Sequence, residues 1–307
     1  VKISKSTAYA FMVVSAIMWA TSGIFTVLAL DEGATWMDVT VFNVIFAALI
    51  LTPLVAVLDP KSLRLKRRDF PSFFAYAIVT GSLFLIAWFW CLERTGVTTA
   101  VILLYGYPSI VTVASVFVLG EKLDRQKIAA LPMTFLGAVL VAGGTDIDKG
   151  LSFDLLGVGL GVFAAFSAAV YYLWGKKFLN DYSPNTVVLY LTVLTIPGLV
   201  VAANPFELVE TSLSATAWLY ILAVGFFPGT LGFLLSMIAL EHIEASRGSI
   251  VASIEPVAAA VMAVLILSEP VNWVRGLGVA LVFIGVLMLR LTPNKKEKRP
   301  EEVALSR

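Results

Sequence analysis

The chain has 307 residues, of which 59% are hydrophobic and 14% charged, with a net charge of +1 and a mean hydropathy of +0.91. A soluble domain carries roughly 45–50% apolar and about 25% charged residues, so one aqueous core cannot hold this much apolar surface, and lipid must be part of the solvent. A single cysteine, Cys91, excludes an internal disulfide and a cysteine metal cluster, and a single histidine, His242, excludes a multi-histidine metal site.

A helix that crosses about 30 Å of hydrocarbon needs roughly 20 apolar residues. In chain order ten segments qualify: 8–30, 38–58, 71–92, 98–119, 126–143, 151–174, 184–203, 214–240, 246–267 and 273–291. The first is too long for the core of a signal peptide and has no clear small-residue cleavage site, so no cleavable signal is expected. The connectors carry turn and charge signals, as in Asp31-Glu32-Gly33, Asp59-Pro60-Lys61, Gly143-Gly144 and Asn204-Pro205. Segments three and four are separated only by Glu93-Arg94-Thr95-Gly96.

Lysine and arginine set the orientation. With the N-terminus in the cytoplasm, all of the 22 basic residues except Arg94, Lys149 and Arg275 fall on the inner side. The densest group is Lys61, Arg64, Lys66, Arg67 and Arg68, between the second and third segments. The outer loops hold Asp31, Glu32, Asp38, Asp146, Asp148, Glu207 and Glu210. The expectation is a multi-pass protein of the cell (inner) membrane with both termini cytoplasmic. The basic tail 293–307, with Lys295, Lys296, Lys298 and Arg299, reads as a topology anchor, with acidic-lipid binding as the alternative.

The chain also repeats itself. Shifted by about 148 residues, Leu92-Glu93 falls on Leu240-Glu241, Pro108 on Pro256, Glu121 on Glu269 and Gly137 on Gly285. Compositional bias aligns Val with Leu readily, but it does not align a proline, two glutamates and a glycine without a gap. The unit holds five segments, and an odd number makes the second copy enter from the opposite side. The expected fold is therefore an all-α integral membrane protein of ten transmembrane helices in two inverted five-helix repeats, 1–145 and 146–292. Secondary transporters commonly use this architecture, with the substrate near the midplane between the halves.

Several segments carry a family likeness: Ile17-Met18-Trp19-Ala20-Thr21-Ser22, Tyr107-Pro108 through Gly120-Glu121, and Ile254-Glu255-Pro256-Val257 through Ser268-Glu269. The glycine-rich fifth and tenth segments agree. In these the sequence resembles the EamA family of the drug/metabolite transporter superfamily across nearly its whole length. The resemblance implies a ten-helix carrier, with a cavity between helices 1, 3 and 4 of one half and 6, 8 and 9 of the other. Many members export amino acids or related metabolites. The sixth segment departs from the common pattern: the usual tryptophan position aligns with Ala168, and Tyr171, Tyr172 and Trp174 cluster just beyond it.

Within the predicted spans Glu255 stands out as the only deep acid or base, and such groups cost about 2.5–3.5 kcal/mol at bilayer depth. It can face a wet cavity and bind an amine or exchange a proton, or it can hold a fixed hydrogen-bond network. Its repeat mate is Tyr107. The prolines Pro108 and Pro256 each lack an N–H and read as hinges or as static kinks. Trp36, Trp218 and Trp273 read as interfacial. Trp19, Trp90, Tyr105, Tyr107, Tyr171 and Tyr172 lie deeper and can form a box for an aromatic ring or an ammonium group. The candidate substrate-binding set is Trp19, Ser22, Trp90, Tyr107, Tyr171, Ser253 and Glu255, with Asn43 and Thr99 as further polar groups whose default role is helix–helix bonding.

His242 reads as a solvated loop residue. Asp146-Ile147-Asp148 resembles half of a metal motif without a second half. There is no P-loop, dinucleotide fingerprint or nucleophile elbow, so neither enzyme activity nor a cofactor is expected. The expected partners are a small-molecule substrate, lipid and protons, with no nucleic acid. A homodimer contact through Gly157-Gly159-Gly161 is the alternative to internal packing. The expected activity is secondary transport of small metabolites, foremost amino-acid export by alternating access. Alternatives are a multidrug or nucleoside carrier on the same fold, a channel-like facilitator, and a membrane-embedded enzyme.

Overall fold

A computed structural model describes residues 3–143, 154–203, 212–267 and 272–290. Asp146, Asp148, Glu207, Glu210, Glu269 and the tail 293–307 lie outside the described residues. Among the described residues the chain is helical, with no strand. The α-helices are α1 (Lys5–Asp31), α2 (Trp36–Leu58), α3 (Phe70–Ala77), α4 (Phe84–Leu104), α5 (Tyr107–Val118), α6 (Arg125–Gly143), α7 (Leu155–Phe178) and α8 (Pro184–Ala202). They continue as α9 (Ala215–Phe226), α10 (Phe233–His242), α11 (Ala245–Ala252), α12 (Glu255–Leu267) and α13 (Trp273–Arg290). Two π-helical turns, Ile78–Leu83 and Phe227–Gly232, join α3 to α4 and α9 to α10.

Among the described residues eight stretches are long and apolar enough to cross a membrane, and Trp273–Leu289 is a shorter apolar helix. Their ends are capped by the polar residues that break the apolar runs. The Ser4 hydroxyl accepts from the Thr7 N–H at 3.0 Å, Thr35 and Asp38 form a capping box, and the Asp154 carboxylate accepts from the Gly157 N–H at 2.9 Å. Small side chains such as Ala8, Ala16 and Ala20 fill the interior, while Phe117 and Leu155 are 83% and 88% exposed. That distribution suits a lipid solvent, in which small residues let helices approach and large ones face the acyl chains.

One of the eight stretches, Arg67–Val118, is 52 residues long, far more than one crossing requires. It reverses at Gly96, whose φ of 74° is open to glycine at little cost. On a straight helix Cys91 and Leu103 would stand about 18 Å apart. Instead both touch Gly161 of α7: a Cβ there would meet Leu103 Cδ1 at 2.6 Å and Cys91 Sγ at 2.8 Å. The break expected at Glu93-Arg94-Thr95-Gly96 is thus a reversal by one glycine between two helical runs.

Packing partners recur at the repeat spacing. A Cβ on Gly137 of α6 would meet Val282 of α13 at 2.7 Å, and one on Gly285 would meet Thr134 at 2.7 Å, which is the same pair with the roles exchanged. Gly81 meets Thr195 in the same way that Gly229 meets Ala47. The two π turns lie within one residue of the same spacing. Of the glycine stripe in α7, Gly157 and Gly161 pack against α4, and Gly159 faces open space.

Candidate functional site

Two helix breaks build the centre of the molecule. Between α4 and α5 the chain makes a tight turn in which the Gly106 N–H donates to the Leu103 carbonyl at 3.3 Å. Between α11 and α12 the mate turn has Ile254 N–H donating to the Val251 carbonyl at 3.1 Å. Each new helix begins at the next residue, Tyr107 or Glu255, and carries its proline second. From sequence each proline is expected to free a carbonyl one turn back, as a hinge or a static kink; Pro108 and Pro256 instead stand in first turns and do not kink a running helix. In a first turn the missing N–H costs nothing, and the fixed φ suits helix entry.

Glu255 opens α12 deep in the fold and remains partly accessible. The hydroxyl of Tyr105 is within hydrogen-bonding reach of its carboxylate. The mate position Tyr107 instead stacks on Tyr172, with ring centroids 5.5 Å apart, and donates to the Ser249 carbonyl at 3.4 Å. Tyr105 was grouped from sequence only among the deeper aromatics; it comes to Glu255 because the turn after Leu104 swings its ring across. Ser253, buried one residue before the turn ends, donates to the Ser249 carbonyl at 3.5 Å.

An aromatic layer surrounds this carboxylate. Tyr171 of α7 bonds its hydroxyl to the Ser236 hydroxyl, and its carbonyl accepts from Tyr76 at 3.1 Å. Trp19 of α1 packs edge-on against Tyr171 at 6.1 Å and Phe233 at 5.5 Å. Its ring lies where a Cβ on Gly232 would stand, 2.8 Å away, so the π turn needs glycine there. The Ser15 hydroxyl closes the same turn by donating to the Gly232 carbonyl at 2.7 Å.

Of the buried polar atoms without a hydrogen-bond partner among the described residues, the Trp19 indole N–H and the Tyr172 hydroxyl lie in this layer, the latter set among Tyr107, Tyr171 and Glu255. Leaving such groups unmade costs about 1–3 kcal/mol each.

The structure thus brings together Trp19, Tyr107, Tyr171, Ser253 and Glu255. Ser22 lies one turn beyond Trp19 on α1 and is half-buried. Trp90 is not in the layer: it is 50% exposed and lines a surface pocket with Glu93 and Arg94. Asn43 bonds the Val39 and Thr40 carbonyls of its own helix. A second buried ionisable group lies at the edge of a predicted span. Lys127, near the start of α6, has a side chain only 1% exposed between Glu121 and Glu244. Its place at the edge of a predicted span, among other lysines, gave no sign of burial. Among the described residues no group of three or more His, Cys, Asp or Glu could hold a metal ion.

Comparison with known proteins agrees with this architecture. The EamA-like transporter family matches twice, over residues 6–143 and 155–291. An uncharacterized transporter of Clostridium kluyveri is 25% identical over 96% of this chain and 96% of its own length. One from Archaeoglobus fulgidus is 24% identical over 91% of this chain and 94% of its own. The uncharacterized inner membrane transporter YicL of Salmonella typhimurium is 22% identical over 94% and 96%. A solved protein crystal structure superposes with a TM-score of 0.80 at 18% identity, covering 94% of this chain and 98% of the other, a likeness of fold alone. With both matches together spanning nearly all of its length, the chain belongs to the EamA-like transporter family.

Proposed function

We propose that this transporter is a secondary carrier that moves a small organic solute by alternating access, with Trp19, Ser22, Tyr107, Tyr171, Ser253 and Glu255 at the solute and Trp90 near its outer route. In this reading the chain makes ten crossings in two inverted halves, 1–145 and 146–292, with both termini in the cytoplasm. The reversal at Gly96 and the exchanged pairs Gly137–Val282 and Gly285–Thr134 support it, because a two-fold relation between halves is what alternating access uses. Pro108 and Pro256, at the starts of two mated half-helices, are the hinges.

The observation that carries the reading is Glu255. A carboxylate is set among tyrosine rings at a helix break, within reach of the Tyr105 hydroxyl. Such an acid at depth is costly unless it binds something. Amino acids are the first substrate class to test, with protons through Glu255 or the solute gradient as the driving force. A second reading, an organic amine or other monocation, is favoured by one observation. Among the described residues the interactions of Glu255 include Tyr105 and no basic side chain, so an amino acid's own carboxylate would lack a partner there.

Uptake into proteoliposomes of a labelled panel decides. It should hold aromatic and aliphatic amino acids and their decarboxylated amines, with and without a pH gradient. Saturable, competable uptake supports a carrier, and the acid-versus-amine preference names the class. Flux that never saturates and shows no counterflow sinks the carrier reading in favour of a channel. If Glu255→Gln transports at the wild-type rate at every pH, proton coupling through this residue is wrong.

A further inference from the structure

The loop between α2 and α3 stands at one surface of the bilayer, because the apolar stretch Trp36–Leu58 ends where it begins and the stretch Arg67–Val118 starts within it. Residues 59–69 hold five cations, Lys61, Arg64, Lys66, Arg67 and Arg68, against the two acids Asp59 and Asp69. Positive charge orients a chain in a membrane by its amount alone and needs no fixed shape. This loop nevertheless has one.

Two short 3₁₀ turns, Pro60–Leu63 and Arg67–Asp69, shape the loop, and residues at the start of α8 hold it. The Thr186 hydroxyl donates to the Ser62 carbonyl at 2.9 Å, the Tyr190 hydroxyl to the Leu63 carbonyl at 2.9 Å, and the Asn185 amide to the Asp59 carboxylate at 3.0 Å. The Ser62 and Ser183 hydroxyls share a hydrogen bond of 2.5 Å, and the Tyr182 hydroxyl donates to Asp69. Ser62 and Thr186 are buried by these contacts. The loop falls in the first match to the family and its holders in the second.

A cavity of about 440 Å³ lies between the two. Lys61, Arg64 and Lys66 line it, all three exposed, and none of them forms an ion pair among the described residues. Of the two acids in the lining, Asp59 is engaged by Ser62 and Asn185, and Asp181 is exposed. The Lys66 ammonium rests over the Tyr182 ring at 5.7 Å, a contact that positions the charge without neutralising it.

The apolar neighbours select the kind of anion. Leu63, Phe70 and Phe74 are exposed beside these charges. The Phe70 and Phe74 rings stack with centroids 6.3 Å apart, and Phe73 between them packs on Tyr182 of the cavity wall at 5.1 Å. A soluble anion gains nothing from exposed rings, whereas a phospholipid carries phosphate and acyl chains on one molecule. Cations beside aromatic rings at the bilayer surface match both of its parts.

We propose that this cavity binds the phosphate of an anionic phospholipid, with Lys61, Arg64 and Lys66 on the headgroup and Phe70 and Phe74 against the acyl chains. The bound lipid bridges the loop and the start of α8, so it stabilises the contact between the two family-matched parts of the chain. The inference does not depend on which solute the protein carries.

The full chain, purified in an uncharged detergent, tests it. Phosphatidylglycerol or phosphatidylcholine is added at equal concentration, and lipid retention is read by native mass spectrometry alongside the melting temperature. The wild type should retain phosphatidylglycerol preferentially and melt later with it. Arg64→Gln with Lys66→Gln should weaken that retention about 30-fold, at about fivefold for each surface cation removed. Lys122→Gln with Arg125→Gln removes the same charge from exposed positions outside the cavity and should leave retention within about twofold of wild type. The exchange Arg64→Lys with Lys66→Arg keeps both charges and should bind as the wild type does, which a misfolded variant cannot do.

Equal retention of the two lipids by the wild type, or equal losses in the two glutamine pairs, overturns the site and leaves only unspecific attraction to positive charge. Displacement of phosphatidylglycerol by inorganic phosphate at matched concentration assigns the cavity to a soluble anion and overturns the lipid.

Discussion

Residues 70–118 and 215–267 follow the same plan: a helix, a π turn, a helix, a reversal, a short helix, a tight turn and a final helix that begins with a proline second. They differ at the points where chemistry is placed. The first reverses at Gly96 through one positive φ, and the second at Ile243–Glu244, where both residues are extended and Glu244 carries a charge to Lys127. At the later turn the first has Tyr105 and Tyr107, and the second has Ser253 and Glu255. The backbone of a break can be held constant by turn geometry and proline placement while its side chains diverge freely. The second stretch took the acid and the Glu244 partner of Lys127, and the first took the aromatic surface that the acid faces.

That contrast can be broken most forcefully at Lys127. Lys127→Met leaves Glu121 and Glu244 without their buried counter-charge, which should cost about 3–5 kcal/mol, read as a lowered melting temperature of the solubilised protein. A change within error would mean that water already satisfies the acids. Next, Glu255→Gln should reduce solute uptake about 10–100-fold, the scale of a hydrogen bond to a charged group. Its mate Tyr107→Phe should reduce uptake only a few-fold, because Tyr107 offers its ring and one long bond of 3.4 Å. Equal losses would make the two breaks functionally equivalent.

The π turns sharpen the comparison further. A Cβ on Gly81 would stand 1.9 Å from Thr195 Oγ1, whereas one on Gly229 would meet Ala47 Cβ at 3.3 Å and the Val224 carbonyl at 3.2 Å. Gly81→Ala should therefore cost about 1–3 kcal/mol as overpacking and Gly229→Ala less than about 1 kcal/mol, measured by thermal unfolding of the two variants side by side.

The smallest expected effect lies in the loop before α3. The Ser62 hydroxyl, then the Asn185 amide at 3.0 Å, hold the Asp59 carboxyl below its ordinary range. A depressed carboxyl contributes its stability above the unfolded pKa, about 3.9, and loses it as pH falls through the lower folded value. Asn185→Ala should melt slightly earlier than wild type at neutral pH, and the gap should close on acidification below about pH 4. A gap that widens there would reverse the assignment.

Much of this was legible beforehand because lipid leaves few choices. A long apolar run must satisfy its own backbone, so hydropathy marks the helices, and the eight spanning stretches fall on the segments it picked out. The reversal at Gly96 was visible as a charged interruption, although not as a single positive φ. Trp90 was singled out as an aromatic at depth, but the face a helix turns inward depends on its neighbours, and this residue points outward. Tyr105 and Lys127 were under-read for the same reason: one is aimed by a turn, the other enclosed by a loop 117 residues further along the chain.

By itself the sequence determined a helical membrane protein, a 148-residue internal echo and an acid where lipid tolerates none without cause, since each is a property of composition, spacing or a single residue's solvation cost. Only the tertiary structure decided that Tyr105 rather than Tyr107 meets Glu255, that the two prolines open helices instead of bending them, and that Lys127 is enclosed between Glu121 and Glu244. Those outcomes depend on which surfaces separate helices present to one another, and packing, not sequence position, chooses them.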